Sequence, residues 1–443
     1  MPSNASPCFS HLRRSIAFVS LTLALPGEAV QPAKQKGDRP TQDLDTEQSK
    51  DRDADYPCCN TNDDAGTMND TPTDERPDVL PYLQLMHQQG GSDLFFSVGA
   101  PPHMKVEGHS QAVGQRVLKA GEVQQLAYQL MSQKQIAEFE RDLEMNLAVS
   151  LQGAGRYRVN VYYQRGEVAM VVRLIKSQIP DFTALGLPRL LEKLSMQDRG
   201  LILVTGAAGS GKSTTLAAML DFRNRHKSGH IVCIEDPIEF LHSHQRSIID
   251  QREVGLDTHS FADALRNVLR EAPDVIMLGE IRDAATMQHA LHYAETGHLC
   301  LATLHATSSS HAAERIARFF PDEARKQVLA DLAHNLLAVI GQRLVPGLAQ
   351  KRVAAVELML GTPYIRDLIQ RDELEQLREA TARAAEQGLQ TFDQHLFALL
   401  EAGRIGLAEA LKYADSRTDL SLKFKLERGF AADDAELKVL RDG

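Results

Sequence analysis

Residues 200–220 read GLILVTGAAGSGKSTTLAAML, and the order of residue types in this stretch decides the fold. Leu201–Thr205 is a short apolar run of the kind that forms a buried strand. Gly206 through Ser213 then match GxxxxGK[ST] in full, and a helical stretch continues through Leu220. Strand, glycine loop and helix start form the context in which this motif holds phosphates. Gly206, Gly209, Ser210 and Gly211 leave backbone N–H groups free to point into the loop, with Thr214 in the first helical turn. Lys212 is placed to neutralise β- and γ-phosphate charge, and the Ser213 hydroxyl to ligate Mg²⁺. ATP and Mg²⁺ are therefore the expected ligands.

Further along, the same architecture repeats. His230–Glu235, Val275–Leu278 and Leu299–Thr303 are short apolar runs separated by helical stretches, the pattern of a parallel sheet with crossover helices. Before residue 179 the pattern differs. Leu80, Leu83 and Met86 lie near helical spacing, and strand-like pieces follow at Leu94–Val98 and Met104–Val106. Two helices are expected within 120–142, then strands at Asn146–Leu151, Arg156–Tyr163 and Val168–Ile175. The expectation is a small α+β domain over 79–178 and an α/β ATPase domain over 179–430.

Three more elements carry chemistry. Val275-Ile-Met-Leu-Gly-Glu280 is an apolar strand ending in a carboxylate, where a P-loop enzyme places its Walker B acid. Gly279 stands where many such enzymes carry Asp, so Glu280 becomes the candidate general base, with Arg282 and Asp283 nearby. Glu235-Asp236-Pro-Ile-Glu239 follows a strand and reads either as an acidic turn or as carboxylates holding Mg²⁺ through water. His298 and His305 bracket the run LCLATL, either as structural hydrogen-bonding groups or as sensors of phosphate charge. In Arg156–Tyr163, period-two alternation puts Arg156 and Arg158 on the polar face, which on spacing alone reads as a solvated edge.

Composition narrows the classes. Of 443 residues, 43% are hydrophobic and 24% charged, an ordinary globular balance. A net charge of −10 and the lack of interleaved basic and aromatic residues argue against a nucleic-acid partner. The five cysteines form no CxxC pair. Residues 31–78 hold thirteen acidic against six basic residues and few large apolar side chains, so residues 1–78 are expected to be a disordered extension. Arg13 and Arg14 before an apolar run from Ile16 to Leu25 resemble a secretory signal, which conflicts with a need for cytosolic ATP. Initiation at Met68 removes the conflict, and residues 431–443 are expected to be a flexible tail.

The words GGSDLFFSVGAPPHMKVEG, GRYRVN, IEDPIEF, QREVGLDT, APDVIMLGEIRD and TGHLCLATLHATS, with the glycine loop between them, carry a family resemblance. From about residue 79 to 427 the chain resembles the type II/IV secretion ATPases, in particular the type IV pilus retraction (twitching-motility) ATPases of the PilT/PilU family. SLKFKL, GLQTFDQHLFAL and EALKYADS are similar to the accessory PilU branch, and no AIRN-type segment of the principal motor is visible. The resemblance implies a PAS-like domain followed by a RecA-like domain, in a hexameric ring. It implies a paralogous retraction ATPase and an inner-membrane platform protein as partners. It implies a cytoplasmic protein docked at the inner-membrane pilus base. It also assigns roles: Glu280 as Walker B glutamate, Glu235 and Asp236 as the Asp box, and His298 and His305 as the His box. Arg156, Arg158 and Arg173 match arginines that reach phosphates when the two domains close. A secretion-system traffic ATPase of the same fold and a regulatory subunit dependent on a partner ring remain as alternatives.

Overall fold

The computed structural model of the chain describes residues 77–349 and 351–428. The expectations for the extension, for a start at Met68 and for the tail 431–443 lie outside the described residues.

The first sheet is built from β1 (Asp93–Phe96), β2 (His103–Val106), β3 (His109–Ala112), β4 (Glu144–Leu151), β5 (Gly155–Gln164) and β6 (Glu167–Ile175). Its order is β3-β2-β1-β6-β5-β4, and every neighbouring pair is antiparallel. One face is buried. Tyr157, Val159 and Val161 of β5 point into a core shared with Leu83 and Met86, Val123 and Leu126, and Phe139 from the helices Leu80–Gln88, Glu122–Tyr128 and Gln133–Asp142. Tyr157 Oη donates to Leu83 O at 2.8 Å, which satisfies the buried hydroxyl and ties strand to helix. The third of these helices starts on a capping box between Ser132 and Gln135. Strand β3 was not expected, because His109-Ser-Gln-Ala112 is exposed throughout and has no apolar alternation.

The second sheet holds β7 (Gly200–Thr205), β8 (Gly229–Glu235), β9 (Ser247–Glu253), β10 (Val275–Ile281), β11 (Leu299–Leu304), β12 (Leu336–Pro346) and β13 (Arg352–Leu360). The order is β13-β12-β7-β11-β10-β8-β9. From β12 to β9 all neighbours are parallel. Beyond the four expected parallel strands the sheet adds β12 and β13, and β13 runs antiparallel to β12. Only a short reversal separates Pro346 from Arg352, too short for a crossover helix. Strand β9 was missed for a different reason. Its sequence Ser-Ile-Ile-Asp-Gln-Arg-Glu is that of a polar edge and lacks an apolar run.

Both faces of this sheet are covered. Leu201 and Leu203 of β7 face one core, with the helices Ala284–Glu295 and Ser309–Arg318. Ile202 and Val204 face the other, with Leu216, Met219 and Leu220 of the helix Lys212–His226. Each fully buried side chain of this size stabilises the fold by about 1.5–3 kcal/mol. A third cluster joins Val345, Val353 and Ala355 to the C-terminal helices Phe392–Glu401, Leu407–Tyr413 and Arg417–Arg428. Among the described residues no helix is long and apolar enough to cross a membrane.

Candidate nucleotide-hydrolysis site

The phosphate loop lies between β7 and the helix Lys212–His226, at the carboxyl end of the parallel strands. Gly206 has φ 149°, and a Cβ there would approach Gln342 O to 2.5 Å. No other residue fits this turn against β12. Lys212 Nζ donates to the carbonyls of Gly206 and Ala207, both at 3.0 Å. Burial lowers the Lys212 pKa, and Glu280 and Glu239 pull it back up. The ammonium is thus held over the loop that would take the phosphates. Gly209, Gly211, Ser213 and Thr214 line a cavity of about 680 Å³ together with Lys212. Ser210 is buried beneath it.

Across that cavity stand the ends of β8, β10 and β11. Glu280 Oε1 accepts from His305 Nε2 at 3.0 Å, and Oε2 from Arg282 Nε at 3.2 Å. Arg282 also donates to Asp236 Oδ2 at 3.2 Å. One arginine therefore bridges the acid at the end of β10 to the acid after β8. A register shift between Leu278 and Ile281 turns the strand at Glu280. Thr303 Oγ1 donates to Gly279 O at 2.5 Å at the same point. The glycine at 279 has a physical cause: a Cβ there would lie 3.2 Å from Ile234 O and 3.3 Å from Glu235 Cα. The backbone of β8 fills the space an Asp would need.

Glu235 is buried, and burial raises its pKa from 4.5 to about 7. Gln251 Nε2, donating at 2.9 Å, offsets part of that rise. Ser213, Glu235 and Asp236 all line the cavity. Among the described residues no group of three or more His, Cys, Asp or Glu could hold a metal alone. One hydroxyl with carboxylates beyond it fits Mg²⁺ that takes its remaining ligands from phosphates and water.

The arginines divide. Arg156 and Arg158 lie on the face of β5 opposite the core, and both act on the buried Glu253 carboxyl. Burial raises the Glu253 pKa, the Ile238 N–H lowers it, and the two guanidinium groups lower it further. They therefore sit over the end of β9, near the acidic turn. Leu241 N donates to Lys176 O at 2.8 Å, which joins the chain leaving β6 to the turn after β8. None of the three arginines lines the cavity, and Arg173 is turned to a different partner. It pairs with Asp93 at 2.7 Å, because Arg173 and Asp93 are register partners on β6 and β1. His298 also lies away from the other candidates. It precedes β11 at the opposite end from His305, where its ring bonds Tyr293 O at 3.1 Å and Thr296 Oγ1 at 3.2 Å. The sequence places the two histidines at opposite ends of one strand, and the structure adds that the His305 end is the one that meets Glu280.

Sequence reasoning passed over Gln342, Gln251 and Glu253. Gln342 accepts from Thr215 Oγ1 at 2.6 Å beneath the phosphate loop. Its signal was a buried glutamine inside the apolar run of β12, visible only once β12 is known to lie beside β7.

Comparisons with known proteins place the chain in a family. The family described as type II/IV secretion system protein matches residues 79–427. The type IV pilus ATPase PilU of Pseudomonas aeruginosa is 48% identical over 362 residues, covering 82% of this chain and 94% of the relative. The type IV pilus retractation ATPase PilT of the same organism is 42% identical, over 76% of this chain and 98% of the relative. Among solved structures, that of the pilus retraction motor PilT with bound ADP superposes with TM-score 0.73 at 41% identity, over 78% of this chain and 99% of that one. The ATPase DotB of Legionella pneumophila gives TM-score 0.61 at 26% identity, over 73% of this chain and 91% of that one.

Proposed function

The chain belongs to the type IV pilus retraction ATPases of the type II/IV secretion family, and from that membership we propose that it is an ATP-hydrolysing motor of the accessory type, assisting pilus retraction. The observation that carries the chemistry is Glu280 facing the phosphate loop with its carboxylate held by His305 at 3.0 Å and Arg282 at 3.2 Å.

The residues take the following roles. The phosphate loop and Lys212 bind the phosphates of ATP, which replace the Gly206 and Ala207 carbonyls as Lys212 partners. Ser213, with Glu235 and Asp236 through water, would hold Mg²⁺, which neutralises charge on the phosphates when bound. Glu280 orients and deprotonates the attacking water, and His305 fixes the carboxylate and reads the γ-phosphate. Glu235, its pKa raised by burial to about 7, would carry a lower charge beside the phosphates than an exposed carboxylate. Arg158 and Arg156 close onto the phosphate as a charge clamp carried by the first sheet. Arg173 joins them once it leaves Asp93. His298 acts through β11, whose far end leads to His305.

Hydrolysis then weakens the clamp and lets a PAS-like domain over 79–178 turn against a RecA-like domain over 179–430. The strand order supports the latter: the five central parallel strands, numbered in chain order without β9, run 5-1-4-3-2. Six copies in a ring would pass such closures to an inner-membrane platform protein at the cytoplasmic pilus base, alongside a paralogous retraction ATPase. No nucleic acid is a partner. The traffic-ATPase alternative is weaker, since the relative that matches 82% of this chain at 48% identity is a pilus ATPase.

The experiment is live imaging of labelled pili in cells whose only copy carries Glu280→Gln. Retraction that stalls under load, or when the paralogue is impaired, supports the accessory motor. Normal pilus dynamics under every condition reject it.

A further inference from the structure

Strand β12 carries Gln342 and Arg343 side by side, and strand periodicity sends their side chains to opposite faces. Gln342 is 4% exposed and braces the phosphate loop through Thr215. Arg343 gathers three separate pieces of chain. One terminal nitrogen donates to Asp415 Oδ1 at 2.6 Å and to Thr307 O at 3.2 Å, and the other to Tyr413 O at 2.6 Å. The guanidinium also lies 3.8 Å from the centre of the Phe392 ring.

These partners are unlike in kind. Phe392 and Tyr413 belong to the C-terminal helices, and Asp415 to the link before the last of them. Thr307 belongs to the segment that leaves β11, two residues beyond His305. That segment is anchored again just downstream. Glu357 of β13, 1% exposed, accepts the Ser309 N–H at 2.6 Å in the first turn of the helix Ser309–Arg318. A carboxylate is stabilised at a helix N-terminus, and its bonding there leaves the helix start little freedom. The stretch 305–309 is thus held at Glu280, at Arg343 and at Glu357. Of these three anchors, Arg343 is the one that is itself bonded to the C-terminal helices among the described residues. The planar guanidinium suits this task, since it satisfies several acceptors from one fixed fork, which a lysine cannot do.

We propose that Arg343 is a positioning residue for ATP hydrolysis: it pins the Thr307 carbonyl to the C-terminal helices and so sets His305 against Glu280. The inference rests on the ATPase reading above. Movement of those helices then reaches the hydrolysis machinery without displacing the phosphate loop.

The test uses the full chain, with steady-state hydrolysis and the affinity for a fluorescent ATP analogue measured on Arg343→Ala, Asp415→Asn, His305→Ala and the double variant His305→Ala/Arg343→Ala. Arg343→Ala is expected to lower kcat about tenfold with nucleotide affinity changed less than about twofold, as for a group that acts on geometry alone. Asp415→Asn should shift kcat the same way by a smaller factor. In the His305→Ala background, Arg343→Ala should cost nothing further, because both act through one side chain. A further tenfold loss in the double variant, or a parallel loss of nucleotide affinity, overturns the proposal. If melting shows that Arg343→Ala does not fold, His305→Ala with and without Asp415→Asn makes the same comparison. A wild-type chain with no Glu280-dependent hydrolysis removes the parent reading, and this inference with it.

Discussion

At the scale of single residues, burial does the chemical tuning. Burial is the largest influence on Glu235 and, against the opposing Gln251 hydrogen bond, raises its pKa from 4.5 to about 7. A raised acid pKa means that its contribution to stability is fully present below pH 4.5 and is lost as the pH rises through 7. Glu235→Gln keeps an acceptor for Gln251 Nε2 and removes the buried charge. At pH 8 the variant should therefore be more stable than the parent by about 3 kcal/mol, the gap narrowing as the pH falls toward 4.5. Urea unfolding at a series of pH values measures this. A constant gap across the series contradicts a titrating Glu235. Lys212 invites a second measurement, since phosphate binding at its ammonium should protect the fold. ATP at one hundred times its Kd should stabilise the parent by about 2.7 kcal/mol, and Lys212→Ala should lose that gain. Calorimetric melting with and without ATP reads both.

At the scale of elements, the decisive contact is between β10 and β8. Gly279 leaves its space to the β8 backbone, so a side chain there must part the two strands by tenths of an ångström. Gly279→Ala should cost about 1–3 kcal/mol of stability through overpacking. It should also lower kcat about tenfold, since Glu280 is the next residue, while nucleotide affinity stays within about twofold. Unfolding and hydrolysis assays on one preparation check both. Here the limits of sequence reading become visible. Strands β7, β8, β10 and β11 were legible because each is an apolar run closed by a residue with chemistry. Strand β3 and strand β9 were not, because both are edge strands whose sequences, HSQA and SIIDQRE, hold no apolar run. Glu280, Lys212 and Asp236 were found from local spacing, and they do converge. Gln342 was invisible because its contact with Thr215 spans 127 residues. Arg173 was placed at phosphates by likeness alone, and for His298 the residues left a structural role and a phosphate-sensing role open. Their ordinary partners, Asp93 and Tyr293 O, are set by a strand register and a helix end that no motif records.

At the scale of the whole molecule, the proposed chemistry divides between two sheets. The loop and the acids lie on the second sheet, and the clamp proposed for Arg156 and Arg158 is carried by the first, where both now act on the Glu253 carboxyl. Arg158→Ala leaves the phosphate loop untouched, so it should lower kcat at least about tenfold with little change in ATP affinity. Equal losses in both would count against a clamp. The same variant serves the ring proposal: mixed with parent protein, it should depress hydrolysis by more than its share if closure passes from copy to copy.

The place of β13 and β9 in the strand order has a mechanical side. They are the two margins of the second sheet, and every strand that bears a proposed catalytic group lies between bonded neighbours on both sides. Amide exchange should begin at those margins and come last in β7, β10 and β11. A lattice so stiff at its centre stores little elastic strain when ATP is split. On the motor reading proposed above, the recoil of each stroke falls on the stretch from Ile175 to Gly200, which separates β6 from β7 and carries the helices Phe182–Leu185 and Leu190–Ser195.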